Sequence, residues 1–319
     1  MRRLGFVFIS FFIAEAVMAW GFYGHRLINR QAVFLLPPEM MFLFKPNLYL
    51  LTEHAVDPDK RRYVLKEEAP RHYMDMDHYH PWDSIPRSYP DAVKKYGEEV
   101  LMKQGIVPWW VQTMVYRLTR AFEKKDKNAI LKLAADLGHY VGDLHVPLHA
   151  SSNHNGQLTN QHGIHGFWES RIPELFAESQ FDLIVGKAVY VKSVSELSWR
   201  VIRQSAKAAD SVLQFEQMLN SRFRTDAKFS YEYRNGIVVR QYSTAYSHAY
   251  HQMLNGMVER RMRESIIVTA SLWYTAWVDA GQPSLKQLNN QPVATETLQE
   301  WEELNKSWMN KGGGTNCSG

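Results

Sequence analysis

The sequence contains almost no cysteine: its 319 residues include one, Cys317. A single cysteine excludes an internal disulfide, so the fold must be stabilised by other means, either a large apolar core or a bound metal ion. Apolar residues make up 45% of the chain, which is enough for a sizeable core in one large domain or two smaller ones. The cysteine itself stands in NKGGGTNCSG, whose glycines predict a flexible tail.

Long apolar runs, linkers and strong charge are also missing. After the first 19 residues, no stretch approaches the roughly 18 continuous apolar residues of a membrane span. No Pro-, Gly- or Ser-rich linker interrupts residues 20–285, which favours a single domain. We expect this domain to cover residues 20–290 and a C-terminal extension with a flexible tail to cover residues 291–319. The net charge of +4 is too small to argue for nucleic-acid binding through a basic surface.

The first 19 residues, MRRLGFVFISFFIAEAVMA, combine two arginines, an apolar run interrupted by Glu15, and an ending in small residues. This layout is typical of a secretory signal peptide, and the run is short for a membrane span, although an uncleaved anchor is the alternative. We therefore expect export, to the periplasm or out of the cell, with cleavage between Ala19 and Trp20. Trp20 would then begin the mature chain with a free amine.

Helical periodicity dominates the second half of the chain. VPWWVQTMVYRLTRAFEKK and NAILKLAADLGHYVGDL each place apolar residues at steps of three and four. A third helical pattern extends over about residues 240–280, and Gly281 and Pro283 follow it as stop signals. Strand patterns are scarce, and YEYRNGIVV is the best candidate for a hairpin. We predict an all-α fold, a single-domain bundle with long central and C-terminal helices.

Two of the histidines stand four residues before a carboxylate. His139 precedes Asp143 and His165 precedes Glu169 by about one helical turn, so each pair projects from one side of a helix. An isolated pair of this kind is more often a solvated helix face. Here His149 follows the first pair after six residues, and imidazole with carboxylate is a ligand set that zinc favours. The cluster therefore predicts one or more metal sites.

Further candidates precede this cluster in the chain. EHAVDPDKRR and RHYMD place His72 fifteen residues after Asp57, and His25 follows Trp20 closely. Together with the two pairs, this order resembles the superfamily of zinc-dependent phospholipases C and single-strand-specific nucleases, in a bacterial branch distinct from both prototypes. The resemblance spans residues 20–169. It implies an all-α hydrolase with three zinc ions, in which a metal-activated hydroxide attacks the phosphorus of a phosphate ester.

The resemblance also implies a role for each matching position. It assigns one zinc to Asp57, His72, His139 and Asp143. It assigns a second zinc to His149, His165 and Glu169. It assigns a third zinc to His25, Asp143 as a bridge, and the amino nitrogen and carbonyl oxygen of Trp20. Asp57 and Asp143 are the catalytic candidates. Because a free amine is a far better zinc ligand than a peptide nitrogen, the third site requires the cut before Trp20.

Candidate substrate residues lie near these ligands. Tyr73 stands where the nucleases of the superfamily stack an aromatic ring on a base, and Asp75 where they read the base with a carboxylate. Lys60, or the neighbouring Arg61 and Arg62, offers positive charge to a phosphate. These positions, with the short interval between the first two predicted ligands, favour a nuclease or nucleotidase acting on single-stranded nucleic acid.

Other features favour different functions. Glu169 stands where the fungal nucleases have Asp and the phospholipases have Glu, and the cysteines that cross-link the fungal enzymes are missing. A phospholipase C that cleaves phospholipid head groups is therefore the alternative. A non-catalytic exported zinc-binding protein is a second alternative. No stable protein partner is implied beyond the phosphodiester substrate, and we expect a monomer.

Overall fold

The computed structural model describes residues 21–234 and 237–311, where the chain is mostly helical with one pair of strands. The helices, in chain order, are α1 (Gly21–Val33), α2 (Pro38–Phe44), α3 (Leu48–Glu53), α4 (Asp57–Arg62), α5 (Tyr89–Tyr96), α6 (Glu98–Gln104), α7 (Val107–Glu123), α8 (Lys127–Leu144), α9 (Ile164–Gly166), α10 (Ile172–Gln180), α11 (Val194–Arg222), α12 (Thr244–Met253), α13 (Met257–Asp279) and α14 (Thr295–Asn310). The strands β1 (Phe229–Arg234) and β2 (Ile237–Tyr242) pair antiparallel. The predicted all-α fold is confirmed.

Helix α8 lies in the middle of the bundle. It begins where the side chain of Asp126 accepts a hydrogen bond from the Ala129 amide at 3.1 Å, as an N-cap residue does. It packs against α1, α3, α7 and α13, so nearly its whole circumference is buried. The face that carries His139 and Asp143 is therefore not solvated, and both side chains are completely buried. A polar site is built into the core.

A close crossing of α1 and α8 brings two of the predicted ligands together. A Cβ atom at Gly138 would lie 1.8 Å from the side-chain oxygen of Asn29, so only glycine permits this approach. Asn29 also donates a hydrogen bond to the carbonyl oxygen of Ala135 at 3.0 Å. His25 lies one turn before Asn29, and its ring stacks on that of His139 with centroids 3.8 Å apart. The crossing of α1 and α8 thus places His25 and His139 next to each other.

The helical pattern predicted over residues 240–280 is not one helix. Strand β2 occupies it up to Tyr242, which confirms the hairpin expected from YEYRNGIVV. Asn255 and Gly256 then separate α12 from α13, because both have positive φ, +46° and +72°, a conformation that a helix cannot contain. Helix α13 ends at Asp279, and Gly281 with φ +80° follows as the expected stop.

Helix α14 lies inside the predicted C-terminal extension. Residues 312–319, with Cys317, are outside the described residues, as are residues 1–20 with the expected signal peptide and Trp20. The division into signal peptide, hydrolase domain and extension therefore stays a prediction. Among the helices of residues 21–234 and 237–311, none is both long and apolar enough to cross a bilayer.

Candidate metal centre

Separate elements of the fold supply the side chains for which the sequence predicts metal binding. Those that converge are His25 from α1, His72 directly after a short turn (Ala69–Arg71), His139 and Asp143 from α8, His149 from a second turn (Pro147–Ala150), His165 from α9, and Glu169 from a π-helical stretch (Phe167–Arg171). Trp20, the expected N-terminal ligand, lies outside the described residues. Because side chains from His25 to Glu169 meet in space, the site forms only in the folded chain.

The carboxylate of Asp143 stands at the centre of this group. Its Oδ2 lies 2.8 Å from Nδ1 of His72 and 3.2 Å from Nε2 of His139. Its Oδ1 lies 3.4 Å from Nε2 of His25 and 3.7 Å from Nδ1 of His149. Four imidazole rings therefore surround one buried carboxylate. These contacts agree with the bridging role that the resemblance implies for Asp143, and that role stays a prediction.

His149, His165 and Glu169 form a second group, whose ligand atoms all lie within 4.8 Å of one another. Glu169 Oε2 lies 2.9 Å from Nε2 of His165 and 3.6 Å from Nε2 of His149. As predicted from their four-residue spacing, His165 and Glu169 project from the same side of the chain. All three side chains are buried.

Asp57 does not join these groups, and the expectation that it is a metal ligand is corrected. Its Oδ2 accepts a hydrogen bond from Nδ1 of His54 at 2.7 Å, and its Oδ1 accepts one from Nζ of Lys60 at 2.9 Å. Burial alone would raise the pKa of Asp57, but the bond from His54 and the charge of Lys60 outweigh it and lower that pKa. Both oxygens of Asp57 therefore accept hydrogen bonds that stabilise the start of α4.

Asp59, two residues later in α4, lies where Asp57 was expected. Its Oδ1 is 3.7 Å from Nε2 of His139 and 3.8 Å from Nδ1 of His72. With His25 and His139 it forms a third group of ligand atoms within 4.8 Å. Among the described residues, no hydrogen-bond donor reaches either oxygen of this buried carboxylate. Asp59 is the carboxylate that sequence reasoning missed.

Backbone carbonyls fix two of the imidazole rings. Nδ1 of His139 donates to the carbonyl oxygen of Ala55 at 2.8 Å, and Nδ1 of His149 donates to that of His72 at 2.6 Å. Because a carbonyl only accepts, Nδ1 carries a proton in both rings, and Nε2 is the nitrogen available for a metal ion once the ring is neutral. Protein metal sites commonly hold histidine ligands in this way.

The buried charges set the protonation of the site. Burial lowers the pKa of His25 and His149, and it lowers that of His165 to about 3 with help from the charge of Arg62. Burial would lower the pKa of His139 too, but the nearby carboxylates raise it to about 9. Three rings are therefore neutral at pH 7, the form in which histidine binds a metal ion.

The residues present fit zinc. Neither ring nitrogen of His25 and neither oxygen of Asp59 has a hydrogen-bond partner within the described part of the chain, although all four atoms are buried. Buried polar atoms without partners are rare, and here one ring nitrogen of His25 and one oxygen of Asp59 lie within 4.8 Å of each other. Neutral imidazoles with carboxylates are the donors that zinc takes in catalytic sites. A cation bound among them would satisfy these atoms.

Glu68 is a further residue that sequence reasoning missed. Its buried carboxylate accepts hydrogen bonds from the hydroxyl of Tyr140 and from Nη1 of Arg71, the latter at 2.6 Å. Its Oε1 lies 3.8 Å from Nε2 of His72. Burial would raise the pKa of Glu68, but the contact with His72 and the charge of Arg61 lower it below its usual range. The four-residue spacing from Glu68 to His72 was a signal for this support.

Tyr73 and Asp75 are half-buried beside the centre. The Tyr73 hydroxyl donates to the carbonyl oxygen of Lys103 at 3.0 Å, and Gly105, with φ +87°, packs so closely that a Cβ atom there would lie 2.7 Å from the tyrosine ring. The ring is thus fixed in place. Burial, with the charge of Asp77, raises the pKa of Asp75 to about 7.

Lys60 does not offer its charge to a substrate, which corrects its predicted role. It is buried and donates to Asp57. Arg62 is the cation of this segment nearer the metal groups: its Nη1 lies 3.5 Å from Oδ1 of Asp59, and its charge helps to lower the pKa of His165. Arg61 is paired with Asp136 at 2.9 Å. Arg62 therefore replaces Lys60 as the candidate for contacting a phosphate.

Comparison with known proteins agrees with this geometry. Residues 20–265 match the family model of the S1/P1 nucleases. The chain belongs to the S1/P1 nuclease family. A search of curated proteins finds no significant match. The family belongs to the phospholipase C/nuclease superfamily of zinc-dependent enzymes, so the resemblance inferred from the sequence is confirmed.

Membership of the S1/P1 nuclease family establishes the class of reaction. The chain is a zinc-dependent phosphodiesterase, and the family implies nucleic acid as its substrate. The matched segment contains all three groups of ligand atoms. It ends within α13, so α14 lies outside it.

Proposed function

We propose that this member of the S1/P1 nuclease family hydrolyses phosphodiester bonds of single-stranded nucleic acid after export. The observation that supports the site most strongly is Asp143, whose two oxygens lie within 3.7 Å of ring nitrogens of four histidines. One carboxylate so surrounded suits neighbouring cations that share it. Zinc bound there supplies the Lewis-acid and water-activating chemistry of phosphodiester hydrolysis.

Three groups of side chains would hold the zinc ions. The first is His72, His139 and Asp143; the second is His149, His165 and Glu169; the third is His25, Asp59 and His139. His139 and Asp143 stand at the boundary between groups, and the free amine of Trp20 would complete the site that includes His25. Three ions therefore remain our proposal, with Asp59 replacing Asp57 as the ligand from α4. The sequence grouped Asp57 with His72, His139 and Asp143, whereas Asp59 groups with His25 and His139.

Residues of this chain would bind and orient the strand. Arg62 carries its positive charge beside Asp59 and within electrostatic reach of His165, and it would neutralise a phosphate that enters between the groups. The fixed ring of Tyr73 would stack on a base. Asp75, as a neutral acid or a carboxylate, would form hydrogen bonds to the edge of that base.

Parallel assays test the substrate. The protein beginning at Trp20 and loaded with zinc would be given single-stranded DNA, RNA, double-stranded DNA and phosphatidylcholine vesicles. We expect cleavage of the single-stranded substrates, loss of cleavage in a chelator, and recovery when zinc is returned. Cleavage of the lipid alone would make the enzyme a phospholipase C. Full zinc content with no cleavage of any substrate would make it a zinc-binding protein.

Processing before Trp20 has a separate test. A variant with one extra residue in front of Trp20 has an amide nitrogen where the mature chain has an amine, and an amide is a poor zinc ligand. We expect that variant to bind less zinc and to cleave more slowly than the mature chain. Equal zinc content and equal activity would refute a role for the N-terminal amine.

A further inference from the structure

Helix α14 lies beyond the matched segment yet packs against α4, the helix that carries Asp59. Two tryptophans of α14 are buried, Trp301 and Trp308, each only 7% exposed. Other positions of α14 are open to solvent, among them Glu302 and Glu303, and Leu298 at the border of the tryptophan face is 49% exposed. Trp301 and Trp308 are about two helical turns apart, so both indole rings lie on the buried face of α14.

Trp301 reaches α4 through His54. The two rings stack with centroids 3.6 Å apart and planes 17° from parallel. The same His54 donates through Nδ1 to Asp57, the first residue of α4. The stacked indole therefore fixes the ring whose hydrogen bond holds the start of α4, and Asp59 follows one residue beyond Pro58.

Trp308 joins α4 to the first turn of α1. Its ring lies 5.5 Å from that of Phe22, which stands one turn before the ligand His25. Nζ of Lys60, between Asp59 and Arg62 in the chain, lies 5.9 Å from the same indole ring. One side chain of α14 thus touches both helices that supply the group of His25 and Asp59.

The segment is also tied to the start of α8. The side-chain oxygen of Asn128 accepts a hydrogen bond from the amide of Ala294 at 3.0 Å, directly before α14. Lys127 donates to the carbonyl oxygen of Gln291, and Lys132 pairs with Glu300. Helix α14 is therefore anchored on the same helix that carries His139 and Asp143.

We propose that α14 is a positioning element of the metal centre: Trp301 and Trp308 hold α4 and the first turn of α1 against α8, so that Asp59 and His25 stay at ligand distance. The inference rests on the proposed role of Asp59 as a zinc ligand. Metal sites depend on such surrounding contacts, because a ligand left free to move binds more weakly.

Zinc release is the measurement that separates positioning from folding. We would follow transfer of zinc from the loaded protein to a chromogenic chelator, for wild type and for Trp301→Ala, together with cleavage of a dinucleotide. Losing the stacked ring should speed zinc release about three- to tenfold. Cleavage of the dinucleotide should weaken by a similar factor, through a higher KM or a lower kcat. Trp301→Phe keeps an aromatic ring over His54 and should restore release toward the wild-type rate.

Two matched variants serve as controls. Leu298→Ala changes a half-exposed residue of α14 one turn before Trp301 and should leave zinc release unchanged. Trp277→Ala removes a buried indole of α13 that bonds Pro283, so it should lower stability without speeding zinc release. If Trp308→Ala is also made and one of the two α14 variants does not fold, the other still decides the outcome.

The inference is overturned if Trp301→Ala releases zinc at the wild-type rate, or if Trp277→Ala speeds release as much. Asp59→Asn distinguishes this failure from failure of the proposed site. If Asp59→Asn keeps all its zinc, the assignment of Asp59 is wrong. If Asp59→Asn loses zinc while Trp301→Ala does not, the site stands and α14 has no part in it.

Discussion

Replacing Asp57 and Asp59 separately by alanine tests which carboxylate serves the metal centre. In zinc-free protein, Asp57→Ala leaves the ammonium of Lys60 buried without its partner and removes the acceptor of His54. Breaking a buried ion pair by removing one member costs about 3–5 kcal/mol. We expect the free energy of unfolding of Asp57→Ala to fall by about that amount.

Asp59→Ala should behave differently in the same zinc-free state. The oxygens of Asp59 accept no hydrogen bond from the described residues, and its ion pair with Arg62 is long, at 3.5 Å. Because the variant removes the cost of burying this carboxylate together with its attraction to Arg62 and His139, the two effects oppose each other, and we expect the free energy of unfolding to change by less than about 1 kcal/mol. With zinc present the order should reverse, since Asp59→Ala loses a ligand.

Urea unfolding followed by circular dichroism, with and without zinc, gives the free energies, and metal analysis gives zinc per chain. The reasoning is supported if Asp57→Ala is destabilised but keeps its zinc, and Asp59→Ala is stable but loses zinc. It is refuted if Asp57→Ala loses zinc at unchanged stability. That result would return Asp57 to the role that the sequence predicted.

Three further predictions concern substrate, pH and metal. Tyr73→Ala should weaken binding of a single-stranded oligonucleotide by about 1–3 kcal/mol, read as a rise in KM, whereas Tyr49→Ala, whose side chain is 74% exposed, should change nothing. Because the folded protein raises the pKa of Asp75 to about 7, it holds that proton more tightly than the unfolded chain does; the free energy of unfolding should fall between about pH 4 and about pH 7, and Asp75→Asn should flatten that fall in urea titrations of zinc-free protein. Chelation of zinc should lower the urea midpoint, and added zinc should restore it; an unchanged midpoint would contradict binding to the folded state.

Local spacing in the sequence was enough to find most of the centre. His139 with Asp143 and His165 with Glu169 share a face wherever the backbone turns helically, because four residues make about one turn. The structure brings these pairs together, with His25, His72 and His149 around them. The all-α fold followed from the same periodicity, since long apolar stripes at steps of three and four leave few alternatives.

The exact ligand in DPDKRR could not be predicted in the same way. Asp57 and Asp59 differ by two residues, and in a helix that difference turns a side chain by about 200°. Which one faces α8 depends on how α4 docks, and no local pattern contains that information. One signal did exist: Asp57 precedes Pro58, and an acidic residue before a proline is typical of a helix start, where it is used structurally.

The absence of disulfides and the buried metal centre both affect how the fold is stabilised. The structure takes the carboxylates of Asp59 and Asp143 and several neutral imidazoles out of water, and burial of such groups without partners is costly. Zinc ions would pair these charges and at the same time join α1, α4, α8 and α9, which are distant in sequence. A bound ion stabilises the folded state in proportion to its affinity for it, so the metal centre would also serve as the cross-link that this nearly cysteine-free chain lacks.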